Sequence, residues 1–173
     1  RRVSARVEGG SSVPDDLGLY LRALPEELPL QCVIFMQAGA TSLAMMERGE
    51  ALATKSFKRY VTRGNGKSQA TFLKQKGKSR YGARLRLQNA RRMLEETEER
   101  LLRLWDEHGE PDQVLVSAPK RLWAEFAGAA MRLPFDPAQV RRIGVDVDVP
   151  TTGVLLRVCK GLEYGRVGWD LTT

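Results

Sequence analysis

The residue best suited to chemistry in this sequence is Gln69, which lies in a glycine- and lysine-rich loop at about residues 64–80. Glutamine has no usable pKa, so it cannot act as a general acid or base. Its side-chain amide can orient a water molecule or a ribose hydroxyl, and its backbone N–H can donate to a developing oxyanion. Such a residue needs a substrate that carries its own reactivity, such as an activated ester or RNA with a 2′-hydroxyl beside the scissile phosphate.

The residues around Gln69 would let the backbone enter a narrow space lined by phosphates, because glycine tolerates unusual φ angles and lysine is cationic. The loop-positioning residues that we predict are Gly64, Gly66, Lys67 and Ser68. Many RNA-binding proteins contain glycine- and lysine-rich loops with an incidental glutamine. Composition alone therefore leaves catalysis and simple binding both open.

No other set of residues matches a familiar catalytic or metal-binding pattern. The chain has one histidine and two cysteines, which are too few for a zinc site. The spacing of the loop glycines does not fit a Walker-type phosphate loop. Asp146 and Asp148 could hold magnesium on one strand face, as in a metal-dependent nuclease, although no third acidic residue is nearby. We therefore predict neither a metal ion nor a cofactor.

Positive charge is concentrated around the loop. Residues 51–94 contain 13 of the 28 Lys and Arg residues and no Asp or Glu. The other 15 basic residues are outnumbered by the 21 acidic ones, although the whole chain has a formal charge of +7. A cationic segment on an acidic body is typical of a surface that binds a polyanion, and nucleic acid fits it best. The RNA-binding residues that we predict are Arg59, Arg63, Lys74, Lys76, Lys78, Arg80 and Arg84.

Hydrophobic patterning predicts a single α/β domain over residues 1–173. Three strands separated by short turns indicate an antiparallel meander, and the later alternation of strand and helix adds parallel strands to it. The fold class is therefore a mixed sheet with flanking helices. The predicted strands span residues 1–7, 30–38, 41–47, 52–63, 113–117 and 140–149. The predicted helices span residues 14–24, 81–108, 119–133 and a segment that starts at residues 150–152 and runs through Leu162.

The long helix at residues 81–108 carries its charges in an unfavourable order. Arginines crowd its N-terminal end, where the helix dipole favours acids, and the acids begin only at Glu95. This order indicates that the first turns are kept basic for a ligand, with a solvated charged face as the alternative. Spacing predicts two ion pairs within the helix, Arg91 with Glu95 and Arg92 with Glu96.

The two cysteines and the apolar runs bear on location. Cys32 and Cys159 lie in apolar contexts, so we expect buried free thiols and a cytoplasmic protein. No apolar run approaches the roughly 20 residues that cross a bilayer, so we expect no membrane partner. We also expect a monomer.

The run of residues 56–90 resembles the release-factor-like domain of the Vms-type ribosome quality-control proteins and their bacterial relatives. These are distant kin of the middle domain of class-one peptide release factors. The resemblance is carried by the FKRY motif at 57–60, a Gly-x-Ser-Gln tip at 66–69, and a Lys-Gly-Lys stretch at 76–78 that leads through Ser-Arg-Tyr-Gly into the long helix. A Val-Pro-Thr sequence at 149–151 before an apolar helix also fits.

This resemblance implies an α/β fold with a projecting glutamine loop, in which Gln69 is the catalytic residue. It also implies action on peptidyl-tRNA at the peptidyl transferase centre of the large ribosomal subunit. The reaction would be ester hydrolysis or a cut in the tRNA near its CCA end. Lys67 stands where release factors have glycine, and this departure favours work at a phosphodiester.

Three readings of function stay open at this point. The first is an enzyme-like release factor that uses Gln69. The second is a non-catalytic ribosome- or tRNA-binding module that kept the basic loop. The third is a metal-dependent nuclease that uses Asp146 and Asp148, which EDTA rather than a change at Gln69 would inactivate.

Overall fold

A computed structural model of the chain describes residue 22 and residues 27–61, 78–128 and 132–163. Its strands form one sheet in the order β3-β2-β1-β4-β5. The strands are β1 (Gln31–Gln37), β2 (Ala40–Glu47), β3 (Glu50–Lys58), β4 (Gln113–Ser117) and β5 (Arg141–Arg142). The first three pair antiparallel, whereas β4 pairs parallel with both β1 and β5. The predicted fold class, a meander extended by parallel strands, is confirmed.

In the described ranges from residue 27 onward, three helices cover the two faces of the sheet. They are α1 (Lys78–His108), α2 (Lys120–Phe126) and α3 (Thr152–Leu162). Helices α1 and α2 pack on the face that carries Cys32, Ile34 and Met36, and α3 packs on the face that carries Val33 and Phe35. All five of these β1 side chains are fully buried because both faces are covered, which explains the continuous apolar run.

Tight turns join the strands of the meander. Arg48 and Gly49 both have positive φ between β2 and β3, as in the type I′ turn that suits a two-residue hairpin. Gly39 also has positive φ, at +85°, between β1 and β2. These turns place β1, β2 and β3 side by side in sequence order, with β3 at one edge of the described sheet. The residues that precede the glutamine loop follow directly after β3 in the sequence.

The predicted strand at residues 140–149 is wrong in extent. Only Arg141 and Arg142 pair with β4, opposite Leu115 and Val116, and β4 itself ends one residue later at Ser117. Beyond them the apolar residues of this segment pack against α3, and Val147 is buried there. The Ser117 hydroxyl donates to the Val145 carbonyl at 2.7 Å and so replaces the missing ladder bond.

The remaining boundary differences are smaller. Strand β3 ends at Lys58 rather than at residue 63, and α2 ends at Phe126 rather than near residue 133. The long helix begins three residues earlier than predicted. The predicted strand at 1–7 lies outside the described residues, as does almost all of the predicted helix at 14–24.

The two cysteines are free and buried, as predicted. Burial raises the pKa of the Cys32 thiol, and burial together with the nearby Glu163 carboxylate raises the pKa of Cys159 to about 11. Within the described ranges, no helix is long and apolar enough to cross a membrane.

Candidate nucleic-acid interface

The N-terminal half of α1 reaches beyond the hydrophobic core. The helix has 31 residues, which corresponds to a length of roughly 46 Å at 1.5 Å per residue. Among its described side chains, from residue 82 onward, the first buried one is Met93. Leu87 lies seven residues before the buried Leu94 and so on the same face of the helix, yet it is 74% exposed. We call residues 78–92 the basic arm.

The basic arm has no acidic residue to offset its charge. Its cations are Lys78, Arg80, Arg84, Arg86, Arg91 and Arg92. The first turn contains no acid, so these cations add to the positive end of the helix dipole instead of opposing it. Arg91 forms the predicted ion pair with Glu95, with Nε and Oε1 2.9 Å apart and the Arg91 side chain 81% exposed. A pair this exposed leaves the arm strongly cationic toward solvent.

Residues 59–61, which we call the loop anchor, are the last described residues before the glutamine loop. The Arg59 amide donates to the Gly39 carbonyl at 2.8 Å, and the Asn89 side-chain amide donates to the Tyr60 carbonyl at 2.9 Å. A Cβ atom on Gly39 would lie only 2.6 Å from both the Arg59 carbonyl oxygen and Val61 Cγ2. Glycine is therefore required at position 39 for the anchor to pass this closely.

The Arg59 side chain also binds α1. Its Nη2 atom lies 2.6 Å from a carboxylate oxygen of Glu96, and the other oxygen is 3.7 Å from Arg100. The predicted Arg92–Glu96 pair is not among the ion pairs of the described residues. The side chains of Arg59 and Glu96 are 33% and 19% exposed, so this pair is better shielded from solvent than the pair formed by Arg91.

Only four of the predicted site residues lie in the described part of the chain. Arg59 lies in the loop anchor, Arg84 is exposed on the basic arm, and Lys78 and Arg80 belong to the first turn of α1. Residues outside the described part of the chain are Arg63, Gly64, Gly66, Lys67, Ser68, Gln69, Lys74 and Lys76. The roles assigned to all of them remain predictions.

The sequence did not identify Gly39, Asn89 and Glu96 as residues that contact the loop anchor. Asn89 and Glu96 are seven residues apart, which places them two turns apart on the same face of α1. That spacing was visible in the sequence. Nothing in the sequence, however, indicated that the face they share would meet the end of β3.

The alternative acidic site receives no support from the described residues. Asp146 and Asp148 are both exposed and flank the buried Val147 in a segment without regular structure. In the described ranges, no three His, Cys, Asp or Glu residues are grouped in a way that could hold a metal ion. His108 is the last residue of α1, and its Nε2 is 3.9 Å from the Glu107 carboxylate.

A cavity of about 290 Å³ lies toward the other end of α1, beside Trp105 and Phe135, whose ring centroids are 5.5 Å apart. The charged residues that line it are Glu110, Asp112, Asp136 and Arg141. This excess of carboxylates would repel phosphates, so the basic arm is the better candidate for an interface with nucleic acid.

The fold is that of the Vms-type release-factor-like domains. A solved structure described as "Vms1 mitochondrial localization core" superimposes with a TM-score of 0.53 at 12% sequence identity. The match covers 82% of this chain and 58% of that one, so the chain spans little more than half the length of this relative. No curated protein matches the sequence.

The sequence itself identifies the family. A family model described as "Bacteroidetes VLRF1 release factor" matches residues 31–168, which is most of the chain. The chain therefore belongs to the Bacteroidetes VLRF1 release factor family. This membership supports a release-factor-like role for the domain.

Proposed function

We propose that this domain releases stalled nascent chains from peptidyl-tRNA in the large ribosomal subunit, with Gln69 as the catalytic residue. The bond broken is either the peptidyl ester or a phosphodiester near the CCA end of the tRNA. The observation that carries the proposal is the basic arm, which leads directly from the glutamine loop and contains six cations and no acid.

The charge of the arm supports binding to RNA phosphates. Each phosphate contact releases condensed counterions, so about six such contacts would lower the affinity by orders of magnitude between low and physiological salt. These contacts are expected to set position and not to read bases, because a shared CCA end and ribosomal shape require little sequence readout. Arg84 is one of the exposed cations of the arm and is free of acidic neighbours along the arm.

The chemistry of Gln69 suits either bond. An amide can orient the attacking water or the 2′-hydroxyl beside the scissile phosphate, and a backbone N–H can stabilise the oxyanion that develops. Lys67 adds a cation two residues from Gln69, which favours the phosphodiester. Gln69 cannot accept the proton that the attacking water or ribose hydroxyl loses, so in either case that proton passes to solvent water or to a group of the RNA.

The test is a product analysis on purified ribosomes that hold a labelled peptidyl-tRNA. Wild-type protein is expected to free the peptide, and Gln69→Ala to bind the same ribosomes with little or no release. A peptide released with intact tRNA identifies ester hydrolysis, whereas a peptide that still carries a CCA remnant identifies tRNA cleavage.

The same assay separates the other readings. Ribosome binding without release by wild-type protein would leave a non-catalytic binding module. Release that survives Gln69→Ala would exclude Gln69 as the catalytic residue. A cytoplasmic location and a monomeric state are part of the proposal, and cell fractionation and light scattering test them.

A further inference from the structure

We propose that Glu96 and Asn89 are positioning residues that clamp the loop anchor to α1 and so fix where the glutamine loop leaves the sheet. This inference rests on the proposed function and assigns it two further residues. Neither residue belongs to the loop or carries the charge that binds RNA. Both residues hold the loop anchor, which precedes the loop in the sequence, in one place relative to the basic arm.

Three hydrogen bonds hold the first two residues of the loop anchor. The Arg59 amide bonds to Gly39 at 2.8 Å, its guanidinium bonds to Glu96 at 2.6 Å, and the Tyr60 carbonyl accepts from Asn89 at 2.9 Å. One contact joins the anchor to the turn between β1 and β2, and the other two join it to α1. A segment held from two sides cannot shift without breaking at least one of these bonds.

The order of the two contacts with α1 shows in which direction the loop anchor runs along the helix. Arg59 contacts α1 at Glu96, and Tyr60, the next residue, contacts it at Asn89. Those two positions are seven residues apart, or roughly 10 Å along the helix axis. The anchor therefore follows α1 toward its N-terminal end, which carries the basic arm.

The clamp matters because catalysis by a group without acid or base chemistry depends on placement. Misplacing a reacting group by about 1 Å can cost about 100-fold in rate. Losing the clamp should therefore lower the rate of release on a saturated ribosome and leave binding by the arm intact. A residue that only binds RNA would show the opposite pattern, with weaker affinity and an unchanged saturating rate.

The decisive variants are Glu96→Gln and Asn89→Ala, with Glu95→Gln as the matched control. Glu95 neighbours Glu96 on the same helix, loses the same charge when changed to glutamine, and pairs only with the exposed Arg91 among the described residues. We expect Glu96→Gln and Asn89→Ala to lower the single-turnover release rate about 10- to 100-fold. Ribosome affinity should stay within about threefold, and Glu95→Gln should match the wild type. The double variant Arg59→Gln/Glu96→Gln should release no more slowly than the slower single variant, since the pair acts as a unit.

Amide hydrogen exchange gives a readout that does not require activity. The Arg59 amide, bonded to Gly39, should exchange faster in Glu96→Gln than in the wild type or in Glu95→Gln. If the wild type releases peptide, equal saturating rates for Glu96→Gln and Glu95→Gln overturn the clamp, as does a loss confined to affinity. If the wild type releases nothing, the proposed function fails, and unchanged exchange at Arg59 in Glu96→Gln would overturn the clamp as well.

Discussion

The close approach of the loop anchor to Gly39 makes a quantitative prediction about Gly39→Ala. The backbone at this position has φ of +85°, where an L-residue with a Cβ atom costs about 1–2 kcal/mol. The new Cβ would also lie 2.6 Å from the Arg59 carbonyl oxygen and from Val61 Cγ2, well inside van der Waals contact. Overpacking of this kind typically costs a further 1–3 kcal/mol. The expected loss in free energy of unfolding is therefore about 2–5 kcal/mol.

Gly109→Ala is the matched control, because it isolates the backbone contribution. Gly109 follows α1 with the same φ of +85°, yet nothing lies within 4 Å of the position that its Cβ would take. Urea denaturation should show a loss of about 1–2 kcal/mol for Gly109→Ala and at least about 1 kcal/mol more for Gly39→Ala. Equal losses for the two variants would refute the close packing of the anchor against Gly39.

Three further predictions address other parts of the domain. Thr151 caps α3 by accepting from the Val154 amide, so Thr151→Ala should lower the free energy of unfolding by about 1 kcal/mol in the same urea assay; no change would contradict the cap. The pKa of Cys159, raised to about 11 by burial and by Glu163, should make this thiol react with Ellman's reagent at pH 8 about 100-fold more slowly than an unperturbed thiol. Because folding raises this pKa, the contribution of the protonated thiol to the free energy of unfolding is present in full below pH 9 and is lost as the pH rises toward 11. Fast labelling of the native protein at pH 8 would disprove the burial of Cys159. Arg84→Gln should reduce by about one the slope of log affinity for ribosomes against log salt, and an unchanged slope would argue against a phosphate contact.

The sequence predicted the elements whose signal is local and strong. The apolar run of β1 predicted a strand, and the short turns after it predicted a meander. The long helix followed from its periodicity, and its acid-free first half pointed to the arm. The glutamine at position 69 stood out through its sequence context and through resemblance, not through any spacing that physics requires.

What the sequence did not predict depends on tertiary contacts. Helical spacing favoured a bond from Arg92 to Glu96, but Arg59 from the end of β3 reaches the same carboxylate and is better shielded from solvent. The alternation at residues 140–149 indicated a full strand, yet β4 is too short to pair with it. Leu87 has the spacing of the apolar face but is 74% exposed, because among the described side chains the contribution of α1 to the core begins at Met93. In each case a local rule was overridden by the length or position of a distant element.

The most direct measurement is to map which RNA lies beside residue 69 on the ribosome. A photo-crosslinking amino acid in place of Gln69 should react with the 3′ end of the peptidyl-tRNA or with large-subunit RNA of the peptidyl transferase centre. If the crosslink is to the tRNA, it should disappear when the P-site tRNA has been released from the ribosome beforehand. Crosslinks confined to the small subunit, or none from a protein that still binds ribosomes, would contradict delivery of Gln69 to the scissile bond.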